Sequence, residues 1–393
     1  VTEGRRVNGT APFIGAGLAS GLVGLGLVFL GSRSEPRQAA LSYLAAYAFG
    51  ASVSLGALAL LLIGHVTGAR WLVAIRRPVE AVAAILPVYA LLFVPIALAL
   101  PSIYPWVSPG GLEAHAAELI ERKRSFLNPT AFLVRAAVYL LVWSVLGVIL
   151  WRRSVRHDAS PGPVADSEPR GLSAVALPLF AFTFTFAAFD WLMSLEPTWF
   201  STVYGAYCFA DAFRSALALA IIVAALWKSR GLLPAEVGPS HFHALGRLLL
   251  TFVIFWAYMA FSQGLIIWIG DIPLESAWYV TRTRGAWSYV FVFLGVGGFA
   301  APFFVLLSRD LKRRPGALAV VAAWLLLVHY VDVYWLVLPA LHPEGPRPHW
   351  LDAAALVGVG GIALAATASL LRGVAPVPRG APGLAASLRY TSV

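Results

Sequence analysis

The chain has 393 residues, 59% of them apolar, a mean hydropathy of +0.77 and only 12% charged residues, about half of the roughly 25% usual in soluble domains. That balance excludes a water-soluble enzyme, a nucleic-acid-binding domain and a disordered chain, so the formal charge of +10 needs another explanation. It is the composition of an all-α integral membrane protein.

A helix that crosses a bilayer needs about 20 mostly apolar residues. Ten runs meet that length, at 12–31, 41–64, 79–100, 129–151, 171–190, 202–227, 246–269, 285–308, 315–340 and 350–372. Strands of a membrane barrel would alternate polar and apolar positions, whereas residues 57–63 (ALALLLI) are apolar on every face. The first run follows Arg5 and Arg6 but is longer than the apolar segment of a typical signal peptide. Gly31-Ser32-Arg33, which follows it, is no small-residue cleavage site, so it reads as a retained helix. The connections are short and leave no room for a soluble catalytic domain.

The 29 Lys and Arg residues are unevenly shared. The N-terminus, the loops after even-numbered spans and the C-terminus hold 19 of them, and the opposite loops hold eight, from Arg33 to Arg347. Arg135 and Arg214 fall inside spans. By the positive-inside rule both termini are expected in the cytoplasm, and Val1 in place of Met reads as a translated GTG start codon, which would be bacterial. The basic excess then reports topology, with the lipid bilayer as partner and no nucleic acid.

Cys208 is the only cysteine, which leaves no C-x-x-C-H haem attachment and no thiolate set for an iron–sulfur cluster. Of eight histidines only His329 lies deep in a span, so a bis-histidine haem and a His/Cys metal site are not expected. No P-loop pattern occurs. The chain is therefore expected to bind no cofactor of its own.

A charge near the bilayer centre costs at least about 2.5–3.5 kcal/mol on insertion scales, so each needs a reason. Span six carries Asp211 and Arg214, three apart and on one helical face. They read either as a self-neutralising anchor or as part of a proton path. Span nine carries His329, Tyr330 and Asp332, and the same spacing lets His329 lie against Asp332, a pair able to exchange a proton near neutral pH. With Asp190 at the end of span five and Gln263 late in span seven, these residues fall in the outer half of the membrane. Asp190, Asp211, Arg214, Gln263, His329 and Asp332 are thus candidates for one polar half-channel. Arg135, early in span four, reads as a snorkelling side chain. On the inner side, His65 and Glu80 beside Arg70, Arg76 and Arg77 read as a hydrated ion cluster. Trp106, Trp199, Trp268, Trp278, Trp287 and Trp350 fall at outer span ends, where indoles prefer the interface. Residues 108–124, with Glu113, Glu118, Glu121, Arg122, Lys123 and Arg124, read as an amphipathic surface helix.

Several motifs resemble a known family. They are Phe189-Asp190-Trp191-Leu192-Met193-Ser194-Leu195-Glu196-Pro197 with Trp199, and Trp256-Ala257-Tyr258 followed by Phe261-Ser262-Gln263. Gly270-Asp271-Ile272-Pro273-Leu274-Glu275, the run from His329 to Trp335, and Gly64-His65-Val66-Thr67-Gly68-Ala69-Arg70-Trp71 belong with them. Together they resemble the ActF subunit of bacterial alternative complex III, a quinol:electron-acceptor oxidoreductase, within the NrfD/PsrC-like superfamily of polysulfide-reductase membrane subunits. Two positions depart from the pattern: Thr198 stands where the family more often has His, and Asp271 where it more often has Asn.

The resemblance implies two four-helix bundles, spans two to five and six to nine, with peripheral first and last helices. Residues 1–40 then hold the first helix, 41–200 the first bundle, 201–340 the second, and 341–393 the last helix and tail. It also implies partners: a paralogous ActC-type membrane subunit, an iron–sulfur subunit and multihaem cytochrome c subunits, with menaquinol or ubiquinol as substrate of the complex. This chain would be a scaffold and proton-conducting half-channel within it, and not the catalytic subunit. The alternative is a quinone site in this chain, with Tyr330 beside His329 or Trp191 beside Asp190. A secondary transporter with repeated halves is a third reading. It is disfavoured because Pro87, Pro95 and Pro178 interrupt spans three and five without counterparts in spans seven and nine.

Overall fold

The computed structural model describes residues 6–108, 114–159 and 169–392. Ten helices among them are long and apolar enough to cross a membrane: α1 (Ala11–Gly31), α2 (Pro36–Thr67), α3 (Arg76–Leu98), α4 (Pro129–Asp158), α5 (Arg170–Leu195), α6 (Tyr204–Ser229), α7 (Pro239–Gly270), α8 (Trp287–Leu307), α9 (Pro315–Ala340) and α10 (Trp350–Leu371). No strand occurs among the described residues. Helices are the expected solution, because hydrocarbon offers no partner to a free N–H or C=O. Helices α2 and α7 outrun their apolar stretches, since polar residues such as Gln38, His65, His241 and His243 continue the helical backbone beyond the point where hydropathy drops.

Proline acts in two ways. In α3, Pro87 and Pro95 each sit in the first turn of a new helical piece, so the span is built of segments 76–84, 86–92 and 94–98. This is where a missing N–H costs least. Pro178, by contrast, lies inside a helix that runs on from Arg170 to Trp191, so the expected interruption of span five does not occur. In α8 the chain widens into a π-helical turn over Leu294–Ala300, which contains three glycines. The connection between α7 and α8 folds into an amphipathic helix, Pro273–Thr283, that the hydropathy profile does not announce. Of the anticipated surface helix at 108–124, Ala114–Arg122 is helical, and Glu113 lies outside the described residues. Its ion pairs, Glu118 to Arg122 at 2.7 Å and Glu121 to Arg124 at 3.0 Å, are solvent-exposed and add little stability.

Helix α2 is the hub, buried along most of its length against α3, α5, α6, α9 and α10. Its crossing with α6 depends on Gly56, where a Cβ would collide with the Ala212 carbonyl. Outside the bundles, α1 packs chiefly on α10 through small residues, as membrane helices commonly do. Gly24 lies so close to the backbone of Ala354 and Gly358 that no side chain fits. Both chain ends share one face of the bundle. There Val7 N–H donates to Val374 O, and Gly373 N–H donates to Val7 O, each at 2.9 Å. The tail crosses the same face, and Ser387 Oγ accepts from Ala74 N–H at 3.1 Å.

Replacing Gly24 with Leu is expected to undock α1 from α10, at a cost of about 1–3 kcal/mol or more. Hydrogen exchange on the detergent-solubilised protein checks this: protection should fall in α1 and α10 and persist in α2 and α6.

Candidate functional site

Asp211, Arg214, His329 and Asp332 meet between α6 and α9. Arg214, fully buried on α6, donates through Nη2 to Asp211 Oδ1 one turn earlier, as the spacing of three predicts. Its Nη1 donates at 3.2 Å to Gly298 O in the π-helical turn of α8, and the guanidinium lies 4.3 Å over the Trp256 ring of α7. A π turn leaves carbonyls free of the ordinary ladder, and here two of them are taken by side chains: Gly298 O by Arg214 and Gly297 O by Trp324 Nε1 at 2.8 Å.

His329 on α9 does not pair with Asp332, as its spacing suggests. Its Nδ1 meets Asp211 Oδ2 on α6, and its Nε2 lies 2.7 Å from Ser52 Oγ on α2. Residues three apart on α9 both point toward α6, and each finds its nearest complement there and not along its own helix. Asp332, fully buried, accepts from Tyr207 Oη at 2.5 Å and lies within hydrogen-bond reach of Asp211. Its other oxygen, Oδ2, has no donor among the described residues.

The charges can be counted. Arg214 and Asp211 cancel, so a neutral cluster holds one proton between His329 and Asp332. Two arrangements fit the heavy atoms. If Ser52 donates to Phe49 O, 2.8 Å away, it accepts from His329 Nε2–H, and the ring, with Nδ1–H on Asp211, is an imidazolium. If Ser52 turns to donate to Nε2, the ring is neutral, and a protonated Asp332 can supply the donor facing Asp211. Asp211 touches both proton holders, and the transfer leaves the net charge unchanged.

Beside this cluster, between α2, α5, α6 and α9, lies a cavity of about 60 Å³ lined by Trp191, Cys208, His329 and Asp332 among mainly apolar side chains. It has room for a few waters, and it is well short of the roughly 150 Å³ of an apolar cavity that admits a benzene ring.

The other sequence candidates lie elsewhere. Asp190, fully buried in the first bundle, accepts from Arg135 at Nε (2.9 Å) and Nη2 (2.7 Å) and from Tyr139 Oη at 2.9 Å. Arg135 is therefore a bidentate partner, not a snorkelling side chain. Gln263 bridges Ser201 Oγ and Tyr279 Oη, both at 3.0 Å. Trp191 borders the small cavity, and its Nε1 has no acceptor among the described residues. Tyr330 packs its ring edge on Phe49 at 5.5 Å and does not border that cavity. Of the anticipated hydrated cluster Arg70 is exposed, but the rest is buried: Arg77 is fully enclosed, and Glu80 contacts Arg76 (2.8 Å), Arg77 (3.3 Å) and Ser154 (2.8 Å). His65 bonds Ser173 Oγ at 3.1 Å.

Sequence reasoning missed Ser52 and Tyr207, whose hydroxyls carry no charge to draw attention. It also counted Arg282 as a loop cation. The helix 273–283 buries Arg282 3.9 Å over the Trp278 ring, paired with Glu196 at 2.6 Å. The Trp278/Arg282 spacing of four was the available signal.

Ten apolar helices around an enclosed ionic cluster define an all-helical integral membrane protein. Compared with known proteins, the chain matches no family model and no curated protein.

Replacing Arg214 with Leu strands Asp211 in the bundle and is expected to cost about 3–5 kcal/mol. The double change Arg214→Leu with Asp211→Leu removes both charges and should recover most of that loss, as read by thermal unfolding in detergent.

Proposed function

We propose that this chain is a membrane subunit without a redox group of its own, which holds and passes protons at the Asp211–His329–Asp332 cluster. The observation that carries the reading is the contact of one carboxylate, Asp211, with both an imidazole and a second buried carboxyl group. A purely structural ion pair needs only Arg214 and Asp211. The further pair, His329 and Asp332, brings a titratable proton into a low-dielectric core, where such groups are expensive to keep. The neighbouring cavity has the size for water and not for a quinone ring, which favours proton handling over direct quinol chemistry at this point.

The family-like motifs around Asp190, Gln263 and His329 supply the wider setting: a subunit of a quinol:electron-acceptor oxidoreductase of the alternative complex III type. In it the chain would sit beside an ActC-type membrane subunit, an iron–sulfur subunit and multihaem cytochrome c subunits. The family resemblance would place the chain in a bacterial inner membrane, and the basic residues of the loops after even-numbered spans support both termini in the cytoplasm.

Replacing Asp332 with Asn keeps the shape and an acceptor for Tyr207 but removes a proton holder. In the assembled complex, proton release and turnover should fall about 100-fold, the low end of what a positioned proton-transfer group contributes, with partial recovery in Asp332→Glu. Unchanged proton release in Asp332→Asn would discard the conduit role. Gentle extraction of the tagged chain tests the setting: a reduced c-haem band with co-purifying multihaem and iron–sulfur subunits is expected, and a colourless solitary protein would refute it.

A further inference from the structure

A second, larger cavity of about 430 Å³ lies on the other side of α2 from the ionic cluster. It is walled by residues 356–371 of α10 on one flank and 219–230 of α6 and its end on the other. Helices α2 and α3 form the back, and residues 7–10 close the end that bears the termini. Fifteen helical steps along α10 make it about 22 Å long, most of the roughly 30 Å hydrocarbon thickness of a bilayer. Its wall is almost wholly apolar. Phe13, Leu226 and Leu364, all exposed on the outer surface, border it, so it opens sideways toward lipid.

Close-packed interiors hold few voids larger than a water molecule, and a volume of this size falls in the range of ligand sites. Two polar features sit at the terminal end. Thr10, more than nine-tenths buried, borders the cavity. It stands at the N-cap of α1 without capping it, and its Oγ1 has no partner among the described residues. A buried hydroxyl left so calls for an explanation. Arg230, exposed on the rim, makes no ion pair or side-chain hydrogen bond among the described residues. Ser54 and Tyr89, deeper in, bond each other, and the other polar side chains on the wall are Asn8, beside Thr10, and Thr367 on α10.

We propose that this cavity binds one long-tailed amphiphile, its hydrocarbon chain in the slot and a hydrogen-bond-accepting head group against Thr10 and Arg230. An isoprenoid quinone and an anionic phospholipid share that chemistry, and Arg230 separates them, because only the phospholipid head carries a charge. The site stands apart from the ionic cluster and holds whether or not that cluster moves protons.

The test is native mass spectrometry of the full chain, released from detergent after incubation with phosphatidylglycerol or menaquinone-4. Gly360 borders the cavity, and a Cβ there meets nothing within 4 Å, so Gly360→Phe fills the slot without a backbone clash. Gly26, equally unobstructed on α1 but away from the cavity, gives the control Gly26→Phe. The wild type and the control should carry a one-to-one adduct with at least one probe, and Gly360→Phe should carry about tenfold less. Arg230→Gln should weaken a phosphatidylglycerol adduct and leave a menaquinone-4 adduct intact. No wild-type adduct, or equal adducts in the wild type and Gly360→Phe, overturns the proposal. A phosphatidylglycerol adduct indifferent to Arg230→Gln overturns the head-group placement.

Discussion

The contact between α2 and α6 at Gly56 governs what the rest of the molecule can do. Because no side chain separates the two backbones there, α2 is drawn into the seam between the bundles. One face of it then reaches the second bundle's interior, where Ser52 meets His329. The opposite side, with Gly50 and Val53, walls the large apolar cavity. A longer residue at 56 would push the helices apart and lengthen the Ser52 contact with His329. One small residue thereby sets how closely α2 can approach the ionic cluster.

The ionic cluster shows how a membrane bundle tolerates charge. Arg214 is held from three directions, by a carboxylate on its own helix, a carbonyl in the wide turn of α8 and the face of Trp256, although its Nε has no acceptor among the described residues. Each comes from a different helix or a different chemistry, so the guanidinium is held without a second formal anion. That leaves Asp211 with spare capacity toward His329 and Asp332. A buried pair is weak evidence for stability, and this one is better understood as the fixed reference against which a movable proton is balanced.

Much of this was legible in the residues. All ten spans were, because bilayer thickness imposes a length that no soluble helix needs. So was the i,i+3 pair Asp211–Arg214, a property of one helix. What was illegible depends on two helices at once. The partner of His329 sits 118 positions away on α6, and nothing in the local spacing around Asp332 distinguishes it from a pairing along α9. Asp190 and Gln263 share the outer half of the membrane with the cluster, but depth fixes only one coordinate, and the helices carrying them face other neighbours. The burial of Arg282 went unseen because hydropathy averages over the short helix 273–283, and Pro178 because a proline reads as a break unless adjacent groups absorb its missing bond.

The closure of the chain ends on one another has a consequence for how the protein is made. Arg6 and Gly373 lie 367 residues apart along the chain, so at about 5–20 residues per second roughly 20–70 s pass between the synthesis of α1 and that of its only extensive partner. Throughout that interval the glycine-rich face of α1 lacks the helix it packs against, while eight further helices are synthesised. The docking of α1 on α10 therefore waits for nearly the whole chain, and the tail that packs beside Ala74 through Ser387 follows later still.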